Sequence, residues 1–179
     1  TNVAAIQKLL GDVPVNTMPT SLSIHEDSQL NISGLSVADL EGNLATTELS
    51  VDKGTLTVTS DGEVVIASSS KLTIHGTQEA INATLKMLSY QGDLNFNGED
   101  TLTVLSSDSN ETSLTDMDKV TITVTALNDA PINTVQHQTV LENTPQFITG
   151  LRVHDPDGDL VKVKVSVQIS DDTGKLASS

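Results

Sequence analysis

The chain has 179 residues, enough for one or two domains that each bury a core. Nine Lys plus Arg stand against 24 Asp plus Glu, and the formal charge of -15 repels nucleic acid and anionic membranes while suiting hard cations that prefer oxygen ligands. Cysteine is absent, which excludes disulfides, thiolate metal sites and thiol nucleophiles, and no apolar run approaches the roughly 20 residues of a membrane-spanning helix.

The first thirteen residues are ambiguous. "VAAIQKLLGD" lines up with the later "VTITVTALND" and so reads as the end of a preceding repeat or a linker, whereas Ala4, Ala5, Gln7, Lys8, Leu9 and Leu10 favour helix. "GTLTVTSDGEVVIAS" reads as a hairpin, because Asp61-Gly62 supplies the positive φ of a tight turn between two β-rich arms. In "TQEAINATLKML", Thr77 can cap a helix, and Ile81, Leu85 and Leu88 recur at helical spacing. "TLTVL" from Thr101 to Leu105 is a short strand. "KVTITVTAL" alternates strictly, with Val120, Ile122, Val124 and Ala126 predicted on the buried face. Short strands between turn signals predict an all-β sandwich with one short helix, its core built from Val, Ile and Leu because aromatic residues are scarce.

An internal repeat organises the chain. A shift of 116 aligns residues 26–44 with 142–160, with eight identities in nineteen positions, where roughly one is expected from residue usage. They are Glu26/Glu142, Ile32/Ile148, Gly34/Gly150, Leu35/Leu151, Val37/Val153, Asp39/Asp155, Gly42/Gly158 and Leu44/Leu160. One further residue of shift matches "LGDVPVNTM" at 10–18 to "LNDAPINTV" at 127–135 in five of nine places. The predicted organisation is therefore residues 1–13 as linker, 14–130 as a complete repeat and 131–179 as an incomplete second one.

Each copy carries an early Glu, an acidic cluster about thirteen residues later, and an Asp before a Pro at the junction. With "LENTP", "NDAP" and "DPDGD", this pattern resembles the cadherin repeat, and more closely the cadherin-like tandem repeats of large bacterial repeat-in-toxin (RTX) adhesins. The resemblance implies an immunoglobulin/cadherin-like sandwich with calcium (Ca2+) held between successive domains. Carried over, it draws Glu26, with either Glu99 or Asp100, together with Asn128, Asp129, Asp155 and Asp157 to one junction, and sets Asp12, Asp39 and Glu41 toward an upstream unit. The first copy departs from the motif at Asp27, Gln29 and Glu41, and the linker departs at Ala126 and Ala130. The competing reading of Asp155 and Asp157 is an ordinary solvated turn, and Asp108, Asp116 and Asp118 are expected at the surface.

Nothing in the sequence favours an enzyme. The four His are scattered, no HExxH or Gly-x-Ser-x-Gly is present, and the spacing around "DPDGD" fails the EF-hand. The expectation is a calcium-binding structural repeat of an extracellular, secreted or cell-surface bacterial adhesin, stiffening a rod that supports adhesion or biofilm formation. Its partners are neighbouring repeats of the same chain, with a cell-surface glycan or protein as a further candidate, and with no nucleic acid and no membrane insertion. The alternative is a calcium-dependent glycan- or protein-binding sandwich, which the scarcity of Trp and Tyr disfavours.

Overall fold

A computed structural model of the chain describes residues 11–60, 64–109, 114–139 and 144–166. The chain divides into two units, Thr1–Leu127 and Asn128–Ser179. Residues 1–10, on which most of the linker or helix expectation falls, lie outside the described residues.

Unit 1 is predominantly β. In chain order it has β1 (Val15–Thr17), β2 (Leu22–His25), β3 (Gln29–Asn31), β4 (Ser36–Ala38), β5 (Leu44–Ser50), β6 (Gly54–Ser60), β7 (Val64–Ser69), β8 (Lys71–His75), α1 (Gln78–Leu85), β9 (Leu88–Gly92), β10 (Gly98–Asp108) and β11 (Thr115–Thr125). One sheet has the order β2-β11-β10-β5-β8, the other β3-β9-β6-β7, and β1 pairs with β4. All neighbours run antiparallel except β2 and β11.

Side-chain alternation builds the core. Along β10, Leu102 and Val104 are buried in the middle, while the same inward face carries Asp100, Ser106 and Asp108 toward the ends. Val120, Ile122 and Val124 of β11 and Leu49 of β5 meet Leu56 and Val58 of β6 and Leu88 and Tyr90 of β9 in one apolar cluster, so the two sheets share a core. The sequence reading placed Ala126 on this face too. It instead lies beyond the last residue of β11 and is exposed.

The predicted hairpin arms pair as β6 and β7, with a register shift between Val58 and Thr59. Their Asp61-Gly62 turn lies outside the described residues. The helix forms where its cap allows. Thr77 is the N-cap, its side chain accepting from Ala80 N, and Ile81 and Leu85 point into the core. Leu88 has passed into β9. Asn82 uses its amide on β4, accepting from Val37 N at 2.9 Å and donating to Val37 O at 2.8 Å.

Close approach makes one glycine obligatory. A Cβ on Gly54 would stand 2.4 Å from Gln91 O and 2.6 Å from Tyr90 Cε2, because the Tyr90 ring lies over the β6 backbone. Gly54→Ala should therefore lower unfolding stability by about 1–3 kcal/mol in a denaturant titration. Gly92→Ala, where the nearest atom is 3.5 Å away, should cost less. Equal losses would contradict the packing.

Candidate functional site

The parallel pair β2 and β11 brings Glu26 to the point where β11 ends. Glu26 is 2% exposed. Its N donates to Thr125 O at 2.9 Å, Oε1 accepts from Leu127 N at 2.6 Å, and Oε2 accepts from Asn97 Nδ2 at 3.5 Å. The carboxylate thus fastens the chain leaving β11 to the chain leaving β2. His25, beside it, shares a hydrogen bond with Thr125 Oγ1 at 2.8 Å.

Asp100 does a similar task inside the sandwich. It is 3% exposed; Oδ1 accepts from Asp52 N at 2.9 Å and Thr101 N at 2.7 Å, and Oδ2 from Lys53 N at 3.1 Å and Tyr90 Oη at 2.9 Å. Those donors pin the β5–β6 turn to β10. With both oxygens so occupied, the Asp100 carboxylate fits a main-chain clamp better than a metal ligand. Glu99 beside it is exposed.

β10 spans about 33 Å at ordinary strand rise, and the second acidic group lies at its far end. There Asp39, 9% exposed, accepts at Oδ1 from Gly42 N at 2.8 Å and Asn43 N at 3.1 Å, closing the Asp39–Asn43 loop on itself. Gln78 of α1 accepts from Asp39 N at 2.7 Å. Glu41 reaches back along the chain, where its Oε2 accepts from Asp12 N at 2.8 Å. Asp108, 4% exposed, accepts from Leu114 N at 2.9 Å and closes the β10–β11 connection. Asp116 Oδ2 accepts from Asn16 N at 2.8 Å, joining β1 to β11. Asp108 and Asp116, expected at the surface, are thus structural.

In unit 2, β12 (Ile132–Thr134) pairs antiparallel with β13 (Arg152–His154). Asp129 N donates to Asp157 Oδ2 at 2.6 Å, Asp157 N to Asp155 Oδ1 at 3.1 Å, and Asn128 Nδ2 to Asp129 O at 3.1 Å. Asp129, Asp155 and Asp157 are therefore gathered around one turn, as are Asp12, Asp39 and Glu41 in unit 1. Glu142 lies outside the described residues. Among the described residues no group of three or more His, Cys, Asp or Glu is arranged to hold a metal ion.

Sequence reasoning missed Tyr90, the chain's one tyrosine. Burial pushes its phenol well above the ordinary tyrosine value, and the Asp100 hydrogen bond and the negative charges of Asp100 and Asp93 push the same way. Its signal was faint, a lone Tyr in a short β-rich run.

Comparison with known families corrects the resemblance. The profile of the Protein GAMETE EXPRESSED 2 domain matches residues 24–118. No curated protein matches the chain. The matched family is a gamete protein family, which overturns the assignment to bacterial RTX cadherin-like repeats, and with it the reading of the chain as a calcium-binding, rod-stiffening adhesin repeat. The misreading has a visible origin: "NDAP", "LENTP" and "DPDGD" all lie beyond residue 118.

The Tyr90–Asp100 pair predicts an alkaline signature. The folded chain holds the Tyr90 proton more tightly than the unfolded chain, so this contribution to stability is whole below about pH 10 and declines as pH rises above it. Phenolate absorbance should accordingly appear with unfolding and not before. Tyr90→Phe should cost about 1–2 kcal/mol and remove this part of the alkaline loss. Asp100→Asn, which turns a donor toward donors, should cost about 2–4 kcal/mol. A phenolate titrating near pH 10 in the folded protein would contradict the assignment.

Proposed function

This chain belongs to the Protein GAMETE EXPRESSED 2 domain family, and from that premise we propose that it is a non-catalytic, tandemly repeated β-sandwich of an extracellular gamete-expressed protein. One observation carries the tandem part. In unit 1, β1 and β4 pair as Val15↔Ala38, Asn16↔Val37 and Thr17↔Ser36; in unit 2, β12 and β13 pair as Ile132↔His154, Asn133↔Val153 and Thr134↔Arg152. The two registers correspond residue for residue under the 117- and 116-residue shifts of the sequence repeat.

The correspondence extends to fine detail. Asp12 N bonds the Glu41 carboxylate as Asp129 N bonds the Asp157 carboxylate, and Gly42 and Gly158 have φ of 72° and 71°. A repeat of about 117 residues with two packed sheets supports an immunoglobulin- or cadherin-like type for each unit. The non-catalytic reading is supported by how the buried carboxylates are used. Glu26 and Asp100 give their oxygens to main-chain and side-chain donors, which suits holding the fold rather than moving protons.

The family description speaks of gamete expression, and we place the chain at the gamete surface, where its partners are neighbouring units of its own chain and a protein on an opposing cell. The charge of -15 favours partners other than nucleic acid or anionic lipid. Antibodies against the chain should stain intact gametes of the source organism, and an impermeant amine label should reach the chain there. Staining that requires permeabilised cells, or is confined to other tissues, would overturn the placement.

A further inference from the structure

We propose that Asn31 is the acceptor of an asparagine-linked oligosaccharide, added as the chain passes through a eukaryotic secretory route. The inference rests on the extracellular reading above. Asn-x-Ser/Thr triplets stand at Asn31-Ile32-Ser33, Asn82-Ala83-Thr84 and Asn110-Glu111-Thr112, and a triplet alone is common by chance in a chain rich in Ser and Thr. The fold separates them. Asn110 lies outside the described residues. Asn82 sits in α1 with its amide held on both sides, Oδ1 accepting from Val37 N at 2.9 Å and Nδ2 donating to Val37 O at 2.8 Å, while Thr84 Oγ1 donates to Ala80 O at 2.9 Å. A sugar on that nitrogen would have to stand where α1 meets β4. The folded chain closes that contact.

Asn31 is presented differently. It is the last residue of β3 and is exposed, Ile32 turns into the core at 2% exposure, and Ser33 is exposed again. Burial of the middle residue thus leaves the acceptor amide and the hydroxyl two residues on together on the solvent side. Gly34, at φ 81°, then turns the chain toward β4. β3 is also an edge, paired with β9 and, among the described residues, with no strand on its other side. Since Ile32 N donates to Leu88 O at 2.9 Å, antiparallel alternation turns the Asn31 main chain toward the open edge. A bulky group there meets no neighbouring strand.

The surroundings suit a carbohydrate. From Asn31 the register crosses the outer face of the sheet through Ser89 of β9 and Thr57 of β6 to Ser68 of β7, with the Thr57 and Ser68 hydroxyls 3.1 Å apart and with Gln91 and Thr55 paired in the adjoining row. None of these six is charged, although the chain carries 24 Asp plus Glu. Sugar hydroxyls can therefore lie over amides and hydroxyls without desolvating an ion. The transfer is a displacement in which Asn31 Nδ2 bonds to the anomeric carbon of an oligosaccharide carried on a lipid diphosphate, the bond from that carbon to the diphosphate oxygen breaks, and the lipid diphosphate leaves with the electron pair. Nδ2 gives up one proton and keeps the other, and nothing is oxidised or reduced.

The test sends the whole chain through the secretory pathway of cultured eukaryotic cells behind an added signal peptide. The secreted protein is treated with peptide-N-glycosidase in heavy-oxygen water, which converts a glycosylated Asn into labelled Asp, and its peptides are read by mass spectrometry so that each triplet is scored separately. The expected result is label at Asn31 and none at Asn82. Ser33→Ala should abolish the label at Asn31 and Ser33→Thr should keep it; both variants should be secreted as the parent is, because Ser33 is exposed. A secreted chain with Asn31 unlabelled, label at Asn82, label at Asn31 that survives Ser33→Ala, or label lost in Ser33→Thr would each overturn the assignment. Because the route is imposed, an unlabelled Asn31 counts against this site alone, whereas gamete staining that requires permeabilised cells counts against surface placement alone.

Discussion

A carboxylate buried where a strand begins or ends, with at least one oxygen accepting from main-chain N–H, recurs at Glu26, Asp39, Asp100 and Asp108, and the strand ends of unit 1 hold together through it. The composition makes the device intelligible. Nine Lys and Arg cannot neutralise 24 Asp and Glu, so carboxylates that enter the interior find amides more readily than cations. The Lys71–Glu48 ion pair, by contrast, is solvent-exposed, the kind that contributes little to stability. Hydrogen bonds to a charged acceptor are stronger than neutral ones, whereas a buried carboxylate lacking donors is costly, so each clamp both stabilises a turn and penalises its loss.

The clamps divide by what they leave over. Asp100 leaves neither oxygen without a donor, which rigidifies the β5–β6 turn against β10 and raises the Tyr90 phenol. At the opposite end of β10, Asp39 and Glu41 leave one oxygen each without a donor. The same residue types therefore serve two ends of one sheet differently. At one end both oxygens of the clamp are filled, and at the other each carboxylate gives only one oxygen to a main-chain donor.

Periodic elements were legible from sequence and single acidic residues were not. β11 and α1 could be read because their burial is set by alternation and by a Thr77 cap, both local properties. Ala126 failed because strict alternation does not show where pairing with β10 stops, and β10 begins opposite Val124. Asp108, expected at the surface, is buried, and Asp100 is met by amides and a phenol, since an acidic letter does not reveal whether a cation, water or a distant amide will meet it. The sequence repeat rests on identities along the chain, and the Asp12–Glu41 and Asp129–Asp157 bonds fall at corresponding positions of that alignment. Family membership was not, because short acidic motifs outside residues 24–118 dominated the resemblance.

Amide hydrogen exchange at neutral pH tests the clamp account most directly. The N–H groups of Gly42, Asn43, Asp52, Lys53, Leu114 and Leu127 lie outside helices or at strand margins, yet each donates to a buried carboxylate. They should exchange on the slow timescale of the β10 and β11 amides, reporting global opening rather than local fraying. Exchange at these six positions as fast as in open loops, with β10 and β11 still protected, would contradict it.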